Sequence, residues 1–335
     1  MTVHLGVIGA GRIGKVHAEN LVYRIPEARV VAVADVRLDA AQALAQTLNI
    51  PQATADYREV LANPDVDAVL VCSSTDTHSE IIEAAANAGK HIFAEKPIDL
   101  DLAVIDRVLA AVERAGVKFF VGFNRRFDPT YARVREAIQS GELGDVHLVH
   151  VISRDPAPPP IEYVKVSGGI FVDMMIHDFD MARFLVGSEV EEVYTRAAVR
   201  IDPRIGEAGD VDTAVVMLTF ANGAIGTIDN SRRAVYGYDQ RVEVLGSKGA
   251  ASSANVYPNQ VTFSTATTIC RDLPLNFFME RYTESYEREM RAFVKSIVEN
   301  TATPVGPSDG RVPVVMALAA KKSLLEHRPV KLSEI

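Results

Sequence analysis

The sequence predicts an α/β protein whose N-terminal part is a doubly wound parallel sheet and whose C-terminal part is an α+β domain on a mostly antiparallel open sheet. Three observations carry this expectation. Short runs rich in Val, Ile, Leu, Phe and Ala alternate with helical stretches through residue 122, the grammar of a sheet covered by helices on both faces. Beyond residue 190, strand-like runs follow one another with only turns between them, as hairpins and antiparallel pairing produce. A length of 335 residues amounts to about two domains at ~150 residues each, divided here as 1–122 and 123–335, with the option that the C-terminal helix packs back on the first domain.

In the first domain strands are expected at 4–8, 28–34, 68–71, 91–94 and 118–122, and helices at 13–22, 38–48, 77–88 and 102–115. Asp76 and Asp99 are expected to cap the last two helices, because a short carboxylate satisfies the free N–H groups of a helix start. The second domain opens with a helix at 129–139 and a strand at 147–153, breaks at Asp155-Pro156-Ala157-Pro158-Pro159-Pro160, and resumes with a helix at 172–185. Strands are then expected at 191–201, 213–221, 224–231, 240–245, 250–256 and 260–264. Asn222-Gly223 reads as a two-residue hairpin turn, since both residues tolerate positive φ, and 247–249 as another turn. Helices at 280–299 and 311–326 close the chain.

Composition narrows the function. With 44 acidic against 35 basic side chains the formal charge is −9, the opposite of the basic footprint that nucleic-acid binding requires. Apolar runs stay far below the ~18–20 residues that cross a bilayer, so no membrane span is expected. The N-terminus enters a strand pattern with no basic head, apolar core or cleavage site, which points to the cytoplasm. Cys72 and Cys270 stand far apart, excluding a disulfide framework and a zinc pair; both are expected to be buried, inert thiols.

Gly9-Ala10-Gly11-Arg12-Ile13-Gly14 follows the first strand and opens the first helix. Alone, a G-x-G-x-x-G is a weak signal. In this context the first glycine permits the tight turn, the second lets a pyrophosphate approach the backbone, and the third lets helix and strand pack; the phosphates lie at the helix N-terminus beside Arg12 and Ile13. Asp35 ends the second strand 21 positions after Gly14, where a carboxylate binds the adenosine ribose and repels a 2′-phosphate, favouring NAD over NADP. Val36 and Arg37 flank it, and Arg37 is equally well read as a solvated charge.

Two further clusters carry chemistry. Glu95-Lys96-Pro97 follows the fourth strand, at the carboxyl edge where ligands bind in such sheets, and a lysine there can steady a developing alkoxide. Asp173 and His177 stand four apart on one expected helix, sharing a face, with Asp180 a turn further and Met174, Ile176 and Phe179 on the apolar side. A histidine takes up a hydroxyl proton near neutral pH, and a flanking carboxylate orients it. A surface ion pair is the plainer reading of that pair, and a metal site is disfavoured because Lys96 already supplies positive charge; no metal is expected.

The Glu95-Lys96-Pro97 motif after a Rossmann-type half, with Asp173 and His177 on a helix of the next domain, resembles the glucose-fructose oxidoreductase and inositol dehydrogenase family, over nearly the whole chain. Stretches 122–128, 153–156 and 232–239 are similar to its inositol dehydrogenase branch. The resemblance implies that Lys96 and His177 flank the reacting hydroxyl with Asp173 supporting both. It also implies that Ser73, Ser74, Thr75, His78, Glu95 and Asn124 lie beside NAD, and that Arg126 and one or both of Tyr236 and Tyr238 bind the polyol. On residue type alone, the tyrosines could equally be sheet-surface aromatics and Arg126 a salt-bridge partner. Ser153-Arg154 stands where some inositol dehydrogenases have a histidine, which leaves the stereoisomer open. The expected activity is NAD-dependent oxidation of myo- or scyllo-inositol to the inosose by a homotetramer or homodimer built on sheet faces. An aldose dehydrogenase is the alternative within the family, and an NAD-binding regulator without turnover the alternative outside it.

Overall fold

The structure, a computed structural model, describes residues 2–335. The chain divides into two compact units, one holding residues up to 127 together with 284–312, the other 128–283 together with 313–335.

The first unit alternates β1 (Val3–Ile8), α1 (Arg12–Arg24), β2 (Ala28–Ala34), α2 (Leu38–Leu48), β3 (Gln52–Thr54), α3 (Tyr57–Ala62), β4 (Ala68–Val71), α4 (Thr75–Asn87), β5 (His91–Ala94), α5 (Leu102–Ala115) and β6 (Phe119–Val121). All six strands run parallel in the order β3-β2-β1-β4-β5-β6. That order reverses between β1 and β4, and the crevice at such a switch point is where these sheets bind ligands. Every residue of β4 and β6 is buried, as helix cover on both faces demands. The short β3 and α3 were not expected. Two caps also differ: Ser74 is the N-cap of α4 and Asp76 lies in its first turn. Asp101, not Asp99, caps α5 by accepting from the Ala103 N–H, while Asp99 accepts from the N–H groups of Leu100 and Asp101.

The second unit contains α6 (Pro129–Gln139), β7 (Val146–Arg154), α7 (Ile161–Val164), α8 (Gly169–Asp173), α9 (Ile176–Val186), β8 (Val190–Ala198), α10 (Pro203–Glu207), β9 (Thr213–Phe220), β10 (Ile225–Ser231), β11 (Asp239–Gly246), β12 (Gly249–Ser252), β13 (Thr262–Ser264), β14 (Ile269–Arg271) and α11 (Phe278–Arg281). After it come α12 (Thr283–Val298), nearly all of it in the first unit, α13 (Pro307–Glu326), which passes between the units at Pro313, and β15 (Val330–Lys331). The main sheet runs β12-β11-β7-β10-β9-β8-β15, antiparallel except for the β7/β10 pair. Its strands alternate, as in the buried and exposed residues of β9, and Leu148, Val215, Met217, Ile225 and Leu245 share the exposed face.

Several expectations for this half need correction: the strand expected over 250–256 ends at Ser252, the helix expected over 280–299 is split at Tyr282, and three further points bear on the site and its surroundings. The helix expected over 172–185 is broken: α8 ends at Asp173 and α9 begins at Ile176. Between them the Met175 N–H reaches back five residues to the Ile170 carbonyl, a widened turn that inserts one residue into the helical ladder. The loop at Asn222-Gly223 has three residues, with only Gly223 at positive φ and Phe220 N–H donating to the Ala224 carbonyl, the three-residue hairpin form. Cys270 is exposed, on the β14 hairpin, whereas Cys72 is buried as expected.

Candidate active site

The nucleotide end of the first unit is shaped by backbone. Gly9 has φ +105°, and a Cβ on it would stand 2.5 Å from the Cys72 backbone; one on Gly14 would stand 1.9 Å from the Gly9 carbonyl oxygen. Gly11, the N-cap of α1, is different: nothing comes within 4 Å of where its Cβ would be. The loop is thus closed on the protein side and open at Gly11, over a helix start without a side-chain cap, and that cradle fits a pyrophosphate. Asp35 Oδ2 accepts from the Ala10 N–H at 2.8 Å and Oδ1 from the Arg37 N–H at 2.9 Å, so the carboxylate expected to bind the ribose is locked to the glycine loop. The Val36 and Arg37 side chains are exposed beside it.

The other expected cofactor residues follow the neighbouring strands. Ser73, Ser74 and Thr75 lead from β4 into α4, with Ser73 Oγ 2.7 Å from Thr77 Oγ1. His78 is buried, and its ring nitrogens lie 2.8 Å from the Pro97 carbonyl and 3.1 Å from the Ser73 carbonyl. Its imidazole therefore braces the two loops rather than facing the crevice with a free nitrogen. Glu95 and Lys96 follow β5, Lys96 half-buried before a cis Pro97. Asn124, after β6, is buried and donates to Ser285 Oγ at 3.1 Å. Arg126 pairs with Asp309 at 2.8 Å, the salt-bridge role open to it from residue type. Apart from Arg126, all of these line the carboxyl ends of five adjacent strands.

In the second unit Asp173 and His177 sit on either side of the α8/α9 break, so they are not one face of a continuous helix. The break is held by side chains that sequence reasoning missed. Asp173 Oδ1 accepts from the Tyr163 hydroxyl at 2.9 Å and Oδ2 from Arg232 Nη1 at 3.2 Å. Arg232 is 1% exposed and also stands 3.5 Å from Asp210, whose carboxylate in turn accepts from the Ile170 N–H at the start of α8. A Cβ on Gly169 would be 2.7 Å from that carboxylate, so the Gly168-Gly169 pair, both at positive φ, lets Asp210 reach the helix end. Burial first, then the Asp173 carboxylate, pushes the Tyr163 phenol above its ordinary value. The glycine pair was the one local signal of this arrangement. Asp178 and Asp180 are buried, and Asp178 accepts from Asn230.

Tyr236 and Tyr238 lie between β10 and β11. Tyr238 is buried with its ring edge-to-face against Tyr282, while the Tyr236 hydroxyl donates to Asp239 at 2.6 Å and accepts from Arg154 at 3.1 Å.

These geometries supply a nucleotide cradle, a lysine at the carboxyl edge, and a histidine on a carboxylate-braced turn, the set that a dehydrogenase acting on an alcohol needs. Residues 3–123 match the oxidoreductase family model described as an NAD-binding Rossmann fold, and 131–252 match the GFO/IDH/MocA C-terminal domain. The chain is 50% identical to the myo-inositol 2-dehydrogenase of Thermotoga maritima, over 99% of each chain. It is 48% identical to the inositol 2-dehydrogenase of Rhizobium meliloti, over 99% of this chain and 100% of that one. The crystal structure of a scyllo-inositol dehydrogenase from Lactobacillus casei with bound NAD(H) and scyllo-inositol superposes with a TM-score of 0.92 at 31% identity, covering 99% of this chain and 100% of that one. With both halves matched and a relative identical at half of the aligned positions, the chain belongs to the glucose-fructose oxidoreductase and inositol dehydrogenase family and is an NAD-dependent oxidoreductase of that family.

Proposed function

We propose that this chain oxidises one secondary hydroxyl of a cyclic polyol, myo- or scyllo-inositol, to the inosose with NAD. The observation that carries the reading is the co-occurrence of the open Gly11 cradle with its Asp35 clasp and the braced Asp173/His177 turn, in a chain half-identical to a myo-inositol 2-dehydrogenase. NAD, held by Gly9, Gly11, Arg12, Ile13, Asp35, Val36, Arg37, Ser73–Thr75, Glu95, Lys96 and Asn124, with His78 bracing the loops beside it, supplies the hydride acceptor. His177 takes the hydroxyl proton while the ring C–H bond breaks and the carbonyl forms. Lys96 donates to the same oxygen as its charge develops, and Asp173 supports both. Arg126, Tyr236 and Tyr238 pair the remaining hydroxyls. Each buried donor left unpaired by a wrong isomer costs ~1–3 kcal/mol, which is how stereoisomers are told apart.

In this reading the first unit, residues up to 127 with 284–312 rather than the expected 1–122 alone, forms the NAD domain, and the second unit the substrate and self-association domain of a cytoplasmic homotetramer or homodimer. The apolar residues on the open sheet face support the self-association, since monomers seldom expose contiguous apolar patches. The decisive experiment follows NADH formation across a panel of inositols and aldoses. Turnover of an inositol with a clear preference over every aldose is expected. Preference for an aldose would replace the substrate, and NAD binding with no turnover of either class would replace the enzyme by a regulator.

A further inference from the structure

One turn beyond the glycine loop, α1 carries His17, which is wholly buried. Its Nε2 lies 2.7 Å from Glu95 Oε1 and 3.9 Å from Glu289 Oε1 on α12. Glu289 is wholly buried too. Neither of its carboxyl oxygens has a hydrogen-bond partner, nor does His17 Nδ1. The walls are apolar: Phe93 and Tyr286 meet the imidazole edge-to-face at 5.1 and 5.8 Å. Gly122 leaves room for the Glu95 carboxylate, which a Cβ there would approach to 3.1 Å.

Two acids and a histidine in a buried site need either a cation or a proton, since an uncompensated buried charge is very costly. The three donor atoms lie within 4.8 Å of one another, which suits a cation by count. Two features favour the proton. A separation of 2.7 Å is a hydrogen bond, shorter than the ~3 Å or more between atoms bound to one ion at ~2 Å. A metal-bound histidine also gives its second ring N–H to an oxygen, and His17 Nδ1 meets none. The charges around Glu289 agree. Burial first, then the Glu95 charge, pushes its carboxyl well above the usual range. The same two causes and Glu289 itself push the Cys72 thiol up, so Cys72 stays neutral and adds no negative charge. His17 from α1, Glu95 after β5, Cys72 after β4 and Tyr286 on α12 are the titratable groups that face this point.

We infer that His17, Glu95 and Glu289 form a buried one-proton cluster in which His17 clasps Glu95 and Glu289 holds the proton, so that His17 acts as a positioning residue for Lys96, the next residue after Glu95. The inference rests on the assignment of Lys96 to the reacting hydroxyl.

The test uses the full chain with His17→Phe, His17→Gln and Glu289→Gln. His17→Phe keeps a ring but loses the N–H to Glu95. Because misplacement by about 1 Å costs on the order of 10²-fold, its kcat should fall about tenfold or more, a larger factor than the accompanying change in KM for inositol or in NADH affinity. His17→Gln restores an N–H and should recover much of that loss. Glu289→Gln is read by stability. An acid whose folded pKa is raised costs the folded state nothing below the unfolded value and progressively more above it, so the Tm gain of Glu289→Gln should be near zero at about pH 4 and grow toward about pH 8. A pH-independent Tm effect, a kcat in His17→Phe equal to wild type, or a stoichiometric divalent ion that a chelator removes with loss of Tm would each overturn the inference. A wild type that turns over no inositol sinks the Lys96 assignment instead, while the Tm series still reports where the proton lies.

Discussion

The nucleotide end of the first unit and the turn bearing His177 in the second are built by different means. At the first, the decisive contacts are backbone ones: three glycines permit approaches that any Cβ would block or fill, and even Asp35 spends its oxygens on main-chain N–H groups. At the second, a two-residue break between α8 and α9 is held by side chains distant in sequence. Asp173 reaches Arg232 across 59 positions, and Arg232 reaches Asp210. A backbone-built site is rigid before any ligand arrives. A site built from paired side chains can be tuned one residue at a time, and substrate choice varies within a family by that route.

The largest expected effect separates these regions by chemistry. His177→Ala removes the proposed base, and losses of general acid–base groups run to about 10²–10⁴-fold in rate. NADH titration of this variant should match wild type. A variant with intact turnover, or one that has lost NADH affinity, breaks the division of labour. Lys96→Ala should show a comparable loss of kcat.

How far each region is legible in the sequence follows from the same contrast. β2, β4, β5, α2, α5 and α6 have the bounds that periodicity suggests, because strands buried on both faces and amphipathic helices state their burial locally. β3 escaped because three residues carry no period. The α8/α9 break escaped because Met174-Met175 offers neither Gly nor Pro, the usual marks of an interrupted helix. Tyr163, Asp210 and Arg232 carry no signal of their own, since their meaning lies in which carboxylate the fold brings to them. His17 and Glu289 meet across 272 positions for the same reason.

The next effect dismantles the side-chain-built turn. Arg232→Leu leaves Asp173 and Asp210 facing each other without their shared cation, and removing one partner from a buried pair costs about 3–5 kcal/mol. Urea denaturation should show that loss, with NADH binding retained by whatever remains folded. Gly14→Ala is the converse test of the backbone-built loop. A methyl placed 1.9 Å from the Gly9 oxygen forces helix and strand apart, and overpacking of this kind costs about 1–3 kcal/mol. Here NADH binding should be lost while circular dichroism still reports a folded chain.

The smallest effect is a pH dependence whose sign opposes that of Glu289. Burial raises the carboxyl of Asp239, but hydrogen bonds from Arg241, Tyr236 and Asn255 outweigh it and hold the group down to about 2. A carboxyl depressed in the folded state contributes its stability above the unfolded value and loses it as pH falls through the folded one, a window from about pH 4 to about pH 2. Asp239→Asn should therefore be less stable than wild type by about 1 kcal/mol at neutral pH, a modest figure because Asp239 is buried but its Arg241 and Tyr236 partners are partly exposed, where water screens them, and the gap should close near pH 2. Glu289→Gln should differ from wild type only above about pH 4, and in the stabilising direction. Urea titrations of the two variants at matched pH thus read two acids that the fold treats in opposite ways: one in the first unit kept neutral by burial beside another carboxylate, one in the second kept ionised by an arginine, a tyrosine and an amide.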